Sequence, residues 1–208
     1  RAQSRVLEES LVRWRIPYTI FGGLRFYDRR EVKDAIAYLK VLVNSSDNVS
    51  LLRIINVPRR GIGKTTIQKL NDLSNKLNIP LWEVLNDKQS LEETIGRSSK
   101  GINKFTELMN DLLCYLENSG PAQLLQLILE KSGYLSDLIN SGTEESEDRR
   151  NNLQELINAA TQYEEETENG DVEGFLSTAA LTTDNDTKKN NPNSVTLMTC
   201  LLYTSDAA

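Results

Sequence analysis

The chain has 208 residues, enough for one domain with its own core, or one domain with pieces of another. It is 38% hydrophobic and 26% charged, with no apolar run long enough to span a bilayer, and it lacks histidine, which excludes imidazole acid–base chemistry and histidine metal sites. The net charge of −6 is unevenly spread: residues 1–70 carry 14 Lys and Arg against 6 Asp and Glu, and residues 71–208 carry 10 against 24, so a cationic patch is compatible with the acidic total.

Val6 to Arg15 has helical spacing, with Leu7, Leu11 and Trp14 on one side. Pro17 to Phe21 reads as a short β-type run closed by Gly22 and Gly23. Asp28 and Glu31 have capping-box spacing before a helix carrying Val32, Ala35, Ile36, Leu39 and Val43. Asn48 is placed to cap the next helix, which stops near Pro58. A longer helix starts near Lys64, with Ile67, Leu70, Ser74 and Leu77 inward, and Pro80 to Asn86 supplies one or two turns. Helical patterns follow at 100–118, 121–132, 149–166 and 171–182, with an acidic loop at Ser141–Asp148 and a polar loop at Asp184–Asn193. Ser194 to Thr199 returns to a β pattern. The spacing predicts a helical body with β-type segments only near its two ends, as for a helical domain inserted into another. Cys114 is expected in the core, and so are Trp14, Trp82, Phe105 and Tyr115.

The stretch VPRRGIGKTTIQKL, Val57 to Leu70, ends like a phosphate-binding P-loop. The P-loop pattern needs a glycine five residues before Gly63, and Pro58 stands there; it also needs a preceding strand, and 51–56 looks helical. The stretch fits a helix–hairpin–helix better. Gly61 and Gly63 allow close backbone approach, Ile62 can anchor the turn, and the second helix presents free N–H groups and its positive dipole end. With Arg59, Arg60, Lys64 and the Thr65 and Thr66 hydroxyls, this makes an anion site suited to a phosphodiester backbone, gripped without reading bases. The alternative is an ordinary helical turn with solvated charges.

Three runs, RAQSRVLEESL, IPYTIFGGLRFYDRREVKDAIAYLKV and LLRIINVPRRGIGKTTIQKL, resemble the UvrD/Rep/PcrA DNA helicases of superfamily 1, closest to the PcrA type, and VTLMT resembles the approach to that family's motif V. The resemblance implies a mainly α fragment, a helical 2B-type subdomain inserted into a truncated RecA-like α/β domain. Residues 1–26 would end the first 2A segment, 27–193 would form the 2B-type domain with the Gly61-Ile62-Gly63 loop, and 194–199 would be the return strand. Residues 200–208 look non-native, like translated sequencing adapter, and the chain reads as a fragment of something longer.

The resemblance further implies that the parent is a cytoplasmic 3′–5′ helicase of DNA repair or replication, using ATP and Mg, while the fragment lacks Walker motifs, holds no cofactor, metal or catalytic residue, and is inactive alone. Arg59, Arg60, Gly61, Ile62, Gly63, Lys64 and Thr65 would contact duplex DNA; Arg1, Gln3, Arg5 and Thr199 would lie near the single strand. At Arg1 the family usually has Asn. Gly22, Gly23, Arg25, Phe26 and Arg29 would form the domain junction. Expected partners are DNA, as a duplex and single-strand junction, and repair or replication proteins, with no membrane. An alternative role is a regulatory protein-docking module using the acidic helices; a stand-alone nucleotide-binding enzyme is a third reading.

Overall fold

The computed structural model describes residues 4–20, 25–96, 99–168, 170–184 and 195–197. Helices dominate: α1 (Ser4–Arg13), α2 (Arg30–Val43), α3 (Asn48–Ile54), α4 (Lys64–Leu77), α5 (Leu81–Asn86), α6 (Lys88–Ile95), α7 (Ser99–Leu116), α8 (Pro121–Lys131), α9 (Tyr134–Ser141), α10 (Glu144–Glu166) and α11 (Val172–Asp184). A 3-10 turn at Phe26–Asp28 precedes α2. Strands β1 (Tyr18–Ile20) and β2 (Val195–Leu197) pair in parallel, Tyr18 opposite Val195 and Ile20 opposite Leu197. The chain thus leaves a sheet position and returns beside it after the helical body. Among the described residues no helix is long and apolar enough to cross a membrane.

The body is arranged around α2. Its Val32, Ala35, Tyr38, Leu39, Val41 and Leu42 are all buried, because α3, α7, α8, α10 and α11 surround it. Phe105 and Leu112 of α7, Leu124 and Ile128 of α8, and Leu156 and Ala160 of α10 complete the same core. Each fully buried Leu or Phe contributes about 1.5–3 kcal/mol over its exposed state, so this layer holds the site described below. Phe105 is in the core and Trp82 and Tyr115 pack against it, as their spacing suggests.

Several local expectations are corrected. The N-cap of α2 is Arg29, with no side-chain cap; Asp28 pairs with Lys33 at 2.6 Å, and Glu31 accepts from Asn152 Nδ2 at 2.6 Å. Asp47, not Asn48, caps α3, accepting from Ser50 N at 3.0 Å. Most of the acidic stretch expected as a loop is the first turn of α10, begun by a reciprocal capping box between Thr143 and Ser146. Glu144, Glu145 and Glu147 there complement the helix dipole. Helices α6 and α9 were not visible as periodic runs; each is short, and α9 lies between Gly133 and Gly142, both with positive φ. Cys114 is exposed, and of α4 only Leu70 is buried, with Leu77 in solvent.

Helix α1 departs furthest. Its buried residues are Arg5 and Glu8, while Val6, Leu7 and Trp14, the last 76% exposed, face solvent. The apolar side expected to pack is the side that the described residues leave uncovered.

Candidate nucleic-acid interface

The segment between α3 and α4 is a built loop rather than a slack connection. Asn56 Oδ1 accepts from the amides of Arg60 at 2.7 Å and Ile62 at 3.2 Å, closing the turn on itself. Ile62 is buried and pins the tip to the core. Gly61 has φ +74°, a left-handed value that disfavours any residue with a Cβ.

Arg60 differs from the outward charge expected of it. Its Nη1 donates to the carbonyls of Ile54 at 3.1 Å, Ile55 at 3.3 Å and Pro58 at 3.2 Å, and its Nη2 donates to Tyr38 Oη at 2.7 Å. The guanidinium also sits over the Phe105 ring, 5.3 Å from its centroid. Tyr38 Oη in turn donates to Val57 O at 2.6 Å. Burial pushes the Tyr38 phenol above its ordinary value, against the opposing pull of Arg60, so it remains a donor. One fork of donors therefore gathers the Ile54 and Ile55 carbonyls at the end of α3 together with that of Pro58, and fastens the loop from inside. Most of the Arg60 fork is thus turned inward, onto the loop's own carbonyls and the Tyr38 phenol.

The outer side of the loop has a different character. Arg59, Gly61, Gly63, Lys64 and Thr65 are all exposed. Among the described residues neither Arg59 nor Lys64 has an acidic partner within ion-pair distance. Gly63 is the N-cap of α4 and no side chain caps that end. Its φ of −87° and ψ of 169° suit any residue, and a Cβ there would meet nothing within 4 Å. Neither backbone strain nor packing inside the chain calls for glycine at 63, and Ser, Asn or Asp would cap better. The site thus brings together two unpaired cations, an uncapped helix start and a backbone bare of side chains.

No nucleotide cradle forms here. Helix α3 occupies the place where a P-loop requires a strand, so these residues do not fit ATP.

Of the junction residues, Phe26 is buried and its N–H donates to Glu8 Oε2 at 3.0 Å. Arg25 lies over the Tyr18 ring at 5.7 Å and Arg29 over Phe26 at 5.5 Å. Arg29 also bonds Asn152 Oδ1 and donates to Ser4 Oγ at 3.0 Å. Arg5, expected beside a single strand, is buried and paired with Glu9 at 2.8 Å and Glu155 at 3.4 Å. Burial and the neighbouring Glu9 carboxylate raise the Tyr27 phenol well above its usual value. Glu8, Glu9, Asn152 and Glu155 carry this junction, and nothing in their local spacing marks them. Arg1, Gln3, Gly22, Gly23 and Thr199 lie outside the described residues, as do residues 200–208.

Fold and loop together define a helical body packed around α2, with the tied α3–α4 loop on its surface and the two strands of a parallel pair at its ends. The chain belongs to the family of UvrD-like helicase C-terminal domains, whose model matches residues 1–200. It is 38% identical over 203 residues to the ATP-dependent DNA helicase PcrA of Staphylococcus aureus, and 39% identical over 203 residues to that of Staphylococcus epidermidis. Each match covers 95% of this chain and 27% of the relative, so the chain spans about a quarter of their length.

Proposed function

We propose that this chain is part of an ATP-dependent DNA helicase, and that its own contribution is a sequence-independent grip on the duplex backbone by the α3–α4 loop. The observation that carries this is Gly63, a glycine that the fold does not need, standing between two unpaired cations at an uncapped helix start. A phosphodiester fits that combination. The first amides of α4 point at its oxygens, the helix dipole favours its charge, and Arg59 and Lys64 neutralise it. Bases are not reached, so affinity is indifferent to sequence. Arg60 acts behind the contact by fixing the loop's shape.

In this proposal the helical body is a 2B-type insertion, β1 and β2 are neighbouring strands of a RecA-like 2A domain, and Arg1, Gln3 and Thr199 lie toward the single strand. ATP and Mg belong to parts of the parent outside this chain, which works in repair or replication in the cytoplasm. The parallel register of β1 and β2 supports the insertion.

The test is binding of a fluorescent duplex–single-strand junction by the 208-residue chain across a salt series. Arg59→Ala/Lys64→Ala should flatten the log–log slope by about 1.8, the release expected for two phosphates. Gly63→Asp should weaken binding, because its carboxylate takes the free amides and repels phosphate, without lowering the melting temperature. Binding indifferent to all three residues would refute the loop as a DNA contact.

A further inference from the structure

Helix α7 lies directly against the α3–α4 loop. A Cβ added at Gly101 would come within 2.4 Å of Arg60 O and 3.2 Å of Ile62 Cγ1. The first turns of α7 and the loop are therefore in backbone contact. The rotation of α7 is fixed as well: Ile102 and Phe105 are buried, with the Phe105 ring beneath the Arg60 guanidinium. Helical spacing then puts Lys100 and Lys104 on a common face, Lys100 just before Gly101 and Lys104 one turn beyond it. Both are exposed.

Their charges are uncompensated. Some cations of the body are neutralised by partners, Lys33 by Asp28 at 2.6 Å, Lys131 by Asp111 at 2.8 Å and Arg149 by Glu145 at 2.5 Å. Others among the described residues, such as Lys76 and Lys88, are unpaired like Lys100 and Lys104 but have no contact with the loop of the kind made at Gly101. Among the described residues Lys100 and Lys104 have no acidic partner, although residues 71–208 carry 24 acidic residues against 10 basic ones. Glu107, one turn beyond Lys104, pairs with neither. Two free cations beside the loop, in an otherwise acidic half, extend its positive surface. They stand about 6 Å apart along the helix axis.

We propose that Lys100 and Lys104 form a second backbone-binding element, so that the loop and the first turns of α7 hold one duplex as a single footprint. This rests on the loop's being a duplex contact, and it adds residues on a separate helix. Because α7 is locked to the loop through Gly101, the two elements approach the duplex as one rigid surface.

The experiment compares the full chain with three variants on a 20-base-pair fluorescent duplex across a salt series. Four phosphate contacts predict a slope of about −3.6, and Lys100→Ala/Lys104→Ala should reduce it to about −1.8 without changing the melting temperature. Arg59→Ala/Lys64→Ala should give a similar reduction. Lys76→Ala, at the far end of α4, should leave the slope unchanged. An unaltered slope in the α7 variant overturns this inference and leaves the loop reading intact. An unaltered slope in the loop variant alone defeats the loop reading and, with it, the shared footprint. An equal loss from Lys76→Ala would reduce the α7 effect to diffuse charge, and would also overturn it.

Discussion

Arg59 and Arg60 are neighbours with opposite tasks. Arg59 is exposed and unpaired, whereas Arg60 donates to three carbonyls and a phenol. Substituting Arg60→Lys keeps the charge but loses the planar fork, and should cost roughly 2 kcal/mol of stability by urea denaturation, the scale of charged hydrogen bonds left unmade. Arg59→Ala should stay within about 0.5 kcal/mol of the parent chain, as an exposed site does. Equal costs would contradict the division. The pair was not legible in sequence, because two adjacent arginines offer the same side chain and only the fold decides which one turns inward. Gly101 makes a related point. Helix propensity favours Ala there by about 1 kcal/mol, but a Cβ would lie 2.4 Å from a backbone oxygen that cannot swing away. Overpacking costs about 1–3 kcal/mol, so Gly101→Ala should lower the melting temperature and disturb the loop.

At the scale of elements, α3 shows what sets up the hairpin. Asp47 accepts from Ser50 N at 3.0 Å and Ser50 Oγ at 2.6 Å, and these bonds hold its carboxyl below the usual carboxylate range. Asp47→Ala should cost about 1 kcal/mol, the usual value of an N-cap, and Asp47→Asn much less. Since the folded value is depressed, the stabilisation is fully present above the unfolded value of about 3.9 and is lost as pH falls through the lower folded value. Urea titrations of the parent chain and Asp47→Ala should therefore converge below that range; a constant gap down to pH 2 would refute the cap. Elements with strong internal periodicity, such as α2, α7 and α8, were legible because their burial repeats at helical spacing. The faces of α1 were not, since Arg5 and Glu8 are buried through partners over a hundred residues away or across the turn. Nor was the start of α10, where acidic residues read equally as a loop or as a dipole-stabilised first turn.

For the whole molecule, α1 is joined to the helical body by polar contacts rather than by a greasy seam. Glu8 accepts from Phe26 N at 3.0 Å and Tyr18 Oη at 3.3 Å while almost fully buried, and Arg5 reaches Glu155 across the junction. Removing the carboxylate leaves a buried N–H without a partner, a cost of about 1–3 kcal/mol. Glu8→Ala should speed tryptic cleavage at Arg13 and Arg15 while the body resists as before. Unchanged cleavage would mean that the junction does not hold α1. The same body presents the loop and α7 as one outward surface, which is where the proposed function lies. Hydrogen exchange of the chain with and without a 20-base-pair duplex tests that most directly. The account predicts added protection at residues 59–66, with residues 99–104 alongside. Protection at α8–α10 instead, or none at saturating duplex, would contradict it.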